Sequence, residues 1–429
     1  MIRRIPRLLL MLTVVVVLTG CAQQVRYPIN AFHQYDYAEA VKGYRATLAH
    51  TTKEKDERNV VLANIHFAGA SFVGGNYHDT LTGLSEASKI MEDVEHGVDR
   101  GQMAMALRQD MRVYKGEPYE RAMAYIYMGV IYYRRGDFQN ARSAFNLALL
   151  ADAGSKGDNP EYRDDFGLAH YLIGKAFLKL GEADNAEISF NKAKQYAAGN
   201  EFADIARQKT SNFTLLVELG CGPGKKPDPV VGSVDTIHEC VYPERAAEII
   251  LNGQSLGRAS KVVDVNYQAK TSGSSTRDTV QAVKGVAVAI LKQVPIFGIL
   301  GSIAEMGGVN RADLRHWRHM PGEVHVLEAN VPEGLHTLQI KFFDATGKEL
   351  ERHQQVHHFV RVVKGEGEAS ADNLLVIRSG MDRHNEARTN SADYLAWGAA
   401  GPIIVQQQGF GSDLGPDIGL PLVTAGAAK

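Results

Sequence analysis

Cysteine is scarce in this chain, basic charge is not in excess, and no apolar run is long enough to cross a bilayer. Three cysteines in 429 residues are too few for the disulfide framework of a small secreted scaffold. Lys and Arg (47) do not outnumber Asp and Glu (49), and the formal net charge is −2. The basic stripe of a nucleic-acid binder is therefore missing. A bilayer span needs about 18–20 apolar residues, whereas Leu8–Val17 and Gln293–Ala304 hold 10 and 12. Chemistry-bearing patterns are absent too. Gly224-Lys225 lacks the upstream glycine spacing and the Ser/Thr of a P-loop. His316 and His319 stand three apart, and His353, His357 and His358 share one β-prone run, but no zinc-type ligand spacing results. On a strand His357 and His358 point to opposite faces. No nucleophile–base or paired-acid set is visible, so neither an enzyme, a cofactor nor a metal is expected.

What is present is an ordinary globular composition, 45% hydrophobic and 22% charged, with length for two or three domains. The first residues carry the sharpest signal. Arg3, Arg4 and Arg7 precede Leu8–Val17, and Leu18-Thr19-Gly20-Cys21 follows. That is the layout of a secretory signal, and its end resembles the lipobox of bacterial lipoproteins, with Cys21 as the lipidated new N-terminus. Removal of residues 1–20 and their three arginines brings the net charge to about −5. Ala22-Gln23-Gln24 has no Asp at the second position. By resemblance to the usual sorting rule this implies an outer-membrane anchor facing the periplasm. Cys221 and Cys240 remain. Oxidised, they would close a loop of about 20 residues worth ~3 kcal/mol; the alternative is two unpaired thiols. Cys221-Gly222-Pro223-Gly224 lacks the second cysteine of a thioredoxin-type turn, which excludes a redox role.

Internal repetition organises the next 200 residues. Tyr125, Met128, Gly129, Tyr132, Gly136, Ala141, Phe145 and Ala148 recur at the same offsets as His170, Ile173, Gly174, Phe177, Gly181, Ala186, Phe190 and Ala193. The pattern resembles the tetratricopeptide (TPR) repeat, in which small residues let two helices approach and aromatics fill the space between them. Weaker copies lie at Phe67–Ala87, with Thr80 where alanine is usual, and at Asp36–Tyr44. The spacing is irregular, with extra residues at Glu95–Glu120 and Ala151–Tyr162. An interrupted solenoid of about four units follows, ending in a helix over Ala203–Val217. Beyond Gly220–Pro229 the periodicity turns β-like at Ala247–Leu251, Val262–Val265, Glu323–Ala329, His336–Phe343, Gln354–Val363 and Leu374–Arg378, with turn signals at Asn252-Gly253 and Thr346-Gly347. Thr279–Met306 reads as an apolar helix buried against the sheet, or, more sharply, as a membrane-dipping segment.

The expected fold is thus α+β and multidomain: a signal at 1–20, a TPR-like α-solenoid at 21–219, a linker at 220–245, a small sandwich-like β domain with one buried helix at 246–380, and an irregular tail at 381–429. Two segments are candidate contact sites. In Tyr114–Arg121, Pro118 and Glu120 suit the first turn of a helix, or Tyr119, Glu120 and Arg121 form a polar loop touching a partner. In Arg311–Glu323, Trp317 packs under a loop with Asp313 paired to Arg311 or Arg315, or Arg315 and Trp317 make an interface hot spot. On the strongest repeat helix, Tyr133 and Arg134 are the expected groove contacts. The motifs Tyr114-x-Gly116-Glu117-x-Tyr119-Glu120-Arg121, Asp313-x-Arg315-x-Trp317-x-x-Met320-Pro321 and Pro332-x-Gly334-x-His336-Thr337 resemble a family of uncharacterised bacterial TPR-containing lipoproteins, usually with leucine where Met320 stands. That resemblance covers most of the chain and implies no catalytic residue. TPR grooves accept a helix or extended peptide, so the expected role is an envelope adaptor binding protein partners through its groove and the membrane through the lipid on Cys21. The alternative is an accessory subunit of a cell-wall, secretion or polymer-export machine, its β domain touching polymer or enzyme.

Overall fold

A computed structural model describes residues 28–92, 113–153, 165–197, 210–227, 235–271, 312–363 and 373–380. Residues 1–27 with Cys21, the apolar stretch Thr279–Met306 and the residues from 381 lie outside the described residues. The chain is mixed α+β, with helices in the N-terminal half and sheets in the C-terminal half. After a helical stretch at 28–33 come α1 (Tyr37–Lys53), α2 (Val60–Val73), α3 (Tyr77–Glu92), α4 (Pro118–Arg134), α5 (Phe138–Ala153), α6 (Gly167–Lys179) and α7 (Ala183–Tyr196). Asp36 caps α1 by accepting the Glu39 N–H at 3.1 Å. Pro118 opens α4, where its missing N–H costs nothing.

The repeat positions do what their residue types dictate. Gly136 and Gly181 take φ of +75° and +78° in the turns that end α4 and α6. Gly129 and Gly174 lie under the rings of Phe145 and Phe190. A Cβ on Gly174 would sit 2.5 Å from Phe190 Cε1. Gly174→Val is therefore expected to cost about 1–3 kcal/mol by overpacking, read as a lower denaturation midpoint, with Phe190→Leu in the same chain restoring part of the loss.

The sheets hold strands that patterning named and strands that it missed. The first has the order β10 (Asn373–Arg378), β1 (Phe213–Leu219), β7 (Glu323–Ala329), β6 (Ser260–Asp264), with β10 parallel to β1 and the other pairs antiparallel. The second has the order β5 (Gln254–Arg258), β4 (Ala246–Leu251), β8 (Gly334–Phe343), β9 (Gln355–Val362). A small hairpin pairs β2 (Gly224–Pro227) with β3 (Asp235–His238), and α8 (Val265–Thr271) follows β6. The helix expected over Ala203–Val217 is corrected from Phe213 onward: β1 is a central strand, so the β domain begins before residue 219. Likewise the 220–245 linker contains the β2–β3 hairpin, whose ends are tied by the Cys221–Cys240 disulfide at a Cα–Cα distance of 5.7 Å.

Burial separates the layers. β4 and β8 alternate, and paired Ala247–Phe342, Ile249–Ile340 and Leu251–Leu338 form one dry face. β1, β7 and β10 are buried at every position, so the first sheet is covered on both faces. One cover is the dry face of the second sheet, which shares a continuous apolar core with it. The other is the inner row of helices. Helix α4 is buried almost all round, whereas α5 and α7 bury only one stripe. The outer helices, inner helices, first sheet and second sheet are stacked in that order.

Candidate functional site

The candidate site is the inner face of the helical repeats. On α4, Glu120, Tyr127 and Arg134 recur every seven residues and so share a face. On the first sheet, the pairing register puts Thr214, Leu216 and Glu218 beside Val324, Val326 and Glu328 and beside Leu374, Val376 and Arg378. These two faces meet. Tyr127 donates to Glu218 Oε1 at 2.7 Å, and Arg378 holds Glu218 Oε2 through Nε at 2.9 Å and Nη2 at 2.7 Å. Arg378 Nη2 also reaches the Tyr127 hydroxyl at 3.0 Å. Burial, with Glu218 second, holds the Tyr127 hydroxyl well above the usual phenol range, so it stays a donor. A second anchor joins α6 to the sheet: Tyr171 and Ser211 donate to Glu328, and Lys175 pairs with Glu328 at 3.3 Å. Arg134 donates to the Leu374 carbonyl, and its guanidinium lies over the Tyr77 ring at 5.4 Å.

The remainder of the inner face is covered by an extended segment, Ala312–Pro321. It turns at Arg318–His319, buries Trp317, His319, Met320 and Pro321, and leaves Leu314 and Arg318 exposed. Arg315 is forked onto Asp313 (2.7 Å), reaches the Arg58 carbonyl (2.7 Å) and Asn59 Oδ1 (3.1 Å), and lies over the Tyr114 ring at 5.3 Å. The Trp317 N–H donates to Glu120 Oε1 at 2.6 Å, and the indole meets Tyr127 edge-on at 5.6 Å. Its Nε1 has no partner among the described residues. His319 is wholly enclosed, edge-on to Phe32 (4.3 Å), Tyr44 (4.8 Å) and His66 (5.2 Å), and neither ring nitrogen has a partner among the described residues. The backbone of the segment is fixed from the other side, where Arg378 donates to the His319 carbonyl.

Glu120 is the hub at the start of α4. It accepts from Tyr114, from the Glu117 N–H at 2.7 Å and from Trp317. Burial raises its carboxyl above the ordinary range; Lys225 opposes this and Glu117 adds to it. Lys225 is itself buried, which works against its charge, but Glu117, Glu120 and Asp235 outweigh this and hold it above the usual amine range. The β2–β3 hairpin is thereby clamped to the N-terminus of α4.

These contacts correct the expected partner surface. Tyr119, Glu120, Tyr133, Arg134 and Trp317 are buried inside the chain, and Arg315 is committed to Asp313, Arg58 and Asn59. They form an internal seam, because a helix as evenly apolar as α4 must be covered on every side. The residues missed are those on the sheet, Glu218, Glu328 and Arg378. Their signal was a charge near the end of an otherwise apolar run: Glu218 in Phe213–Leu219, Arg378 in Asn373–Arg378, and Glu328 in Glu323–Ala329, which also holds Glu323. His316 turns to the Leu314 carbonyl and His353 to Glu244 at 2.7 Å. No metal-type cluster of His, Cys, Asp and Glu occurs among the described residues, nor is any helix there long and apolar enough to cross a membrane. A cavity between α2, α4, α6 and the first sheet, about 10 Å³, has room for one water.

No family model matches the chain, and no curated protein matches it. Among solved structures, the crystal structure of MamA protein matches 41% of this chain and 90% of its own, at 19% identity and a TM-score of 0.22. A likeness at that score carries no argument about the architecture above.

Proposed function

We propose that the protein is a lipid-anchored scaffold on the periplasmic side of the outer membrane, binding protein partners in the assembly or regulation of an envelope complex, without catalytic activity of its own. Leu18-Thr19-Gly20-Cys21 supports the anchor. The observation that carries the role is the layering: paired helices are locked onto a sheet as one body, with the outer faces of α5 and α7 left to solvent. The inner face is occupied by the chain itself, so partners meet the outer helices, where Leu150 and Ile188 are exposed. A second reading has its own observation. The outward face of the second sheet exposes Leu335 and Phe359, the latter held at a φ of +63° in a bulge of β9. That face suits an accessory subunit touching polymer or enzyme.

The test is in-cell crosslinking from photoreactive residues at Ile188 and Phe359, in the parent chain and in Cys21→Ala. A discrete adduct from Ile188, lost when Cys21→Ala leaves the membrane fraction, supports the scaffold. An adduct from Phe359 alone favours the β-face reading. No adduct from either position in a folded chain overturns both, and a Cys21→Ala chain that stays in the membrane fraction overturns the anchor.

A further inference from the structure

The seam between the extended segment and the first helices is built unlike the rest of the interior. Between α4, α6 and the first sheet the buried charges are paired: Glu218 with Arg378 and Tyr127, Glu328 with Lys175 and Tyr171. His319 differs, for neither of its ring nitrogens has a partner among the described residues. Its ring lies in an aromatic cage of Phe32, Tyr44 and His66. The groups facing it include His33 on the 28–33 stretch, Tyr44 on α1, His66 on α2, Arg318 on its own segment, and Arg378 on β10, itself paired with Glu218; His316 acts on His66. On the α4 side, Tyr127 and Glu120 hold Trp317, two residues earlier. The charged neighbours that act on the His319 ring, Arg378 and Arg318, are cations, and the other titrating groups that act on it are histidines.

We propose that Asp313–Met320 is an acid-released latch: closed over the 28–33 stretch, α1 and α2 when its histidine seam is neutral, and released on protonation while the paired helices and the sheets stay folded. The sign follows from the enclosure. Burial first, then His66, and after it Arg378, His33 and Arg318, hold His319 well below the usual imidazole range; burial also lowers His66, His316 and His33. A group lowered in the closed state contributes stability that is complete above its free value of about 6.5 and is lost as pH falls below it. Each imidazole that stays neutral when enclosed and takes a proton from water when released raises the opening constant about 30-fold at pH ~5. His66 and His319 together raise it about 1000-fold. The remaining attachments are hydrogen bonds that water can replace: Arg315 to the Arg58 carbonyl and Asn59, His66 to the His316 carbonyl, the Trp317 N–H to Glu120, and Arg378 to the His319 carbonyl.

The chain has two tryptophans, so Trp397→Phe leaves Trp317 as the only indole. Trp317 emission and the far-UV circular dichroism of the full chain are followed from neutral pH downward. The expected result is a red shift of Trp317 below about pH 6, complete before the helical signal falls. His319→Phe, which keeps a flat ring in the cage, moves the midpoint down by about one unit or more. If that variant does not fold, His66→Leu is expected to move it in the same direction. A red shift that coincides with loss of the helical signal overturns the latch, as does its absence throughout. A midpoint unmoved in every variant that folds also overturns it.

Discussion

Replacing Arg378 by methionine is expected to lower the unfolding free energy by about 3–5 kcal/mol, one of the two largest losses of any single change described. The guanidinium is buried and makes four contacts at once: two to Glu218, one to the Tyr127 hydroxyl and one to the His319 carbonyl. Its removal leaves the Glu218 carboxylate between α4 and the first sheet with Tyr127 as its remaining hydrogen-bond donor there. A buried charge without its partner costs far more than the pair contributes, because desolvating it is no longer offset. The same logic sets the control. Glu218→Leu with Arg378→Met removes both charges and is expected to recover most of the loss, so the cycle shows strong coupling. Denaturant midpoints of the four chains check this. A loss below about 1 kcal/mol for Arg378→Met alone would mean that water reaches the site and that the helix–sheet seam is open.

Trp317→Ala is expected to cost a similar amount, about 3–5 kcal/mol. The side chain is 1% exposed and is the largest of the fully buried ones among the described residues. It fills the space above Gly69, where a Cβ would stand 2.6 Å from the indole nitrogen and 2.9 Å from His319 Cβ. Truncation opens a cavity that the rigid α2 and α4 cannot close. Trp317→Phe is expected to retain most of the stability, since the indole N–H has no partner to lose. Hydrogen exchange locates the effect: protection should fall first in α2 and at the start of α4. Uniform loss across both sheets would show instead that the segment belongs to the global core.

Much of this architecture was legible from local patterns. The repeat offsets placed Gly129 under Phe145 and Gly174 under Phe190, because only a missing Cβ lets the helices of a pair approach so closely. Asn252-Gly253 marked the β4–β5 hairpin, where both residues take positive φ. His357 and His358 fell on opposite faces of β9, one buried and one exposed. β1 was misread because Phe213–Leu219 is buried on both faces. A strand without a wet face has no alternation, and a short apolar run then reads equally as helix.

The candidate site was legible only in part. Tyr119, Glu120, Tyr133, Arg134, Arg315 and Trp317 were read as contacts for a partner, whereas they hold the chain's own inner seam. The sequence of α4 held the warning: Ala122, Met123, Ala124, Ile126, Val130 and Ile131 leave it no wet stripe.

By itself, the sequence determined where the paired helices stand, where six of the ten strands among the described residues run and which turns join them. These follow from steric rules acting within a few residues. Only the tertiary structure decided what fills the inner face of the repeats. Glu218 and Tyr127 are 91 residues apart, Trp317 and Glu120 are 197, and Arg378 and Tyr127 are 251. No periodicity encodes such pairings. They are set when a helix apolar on all sides and a sheet apolar on both faces can each satisfy their burial only against the other.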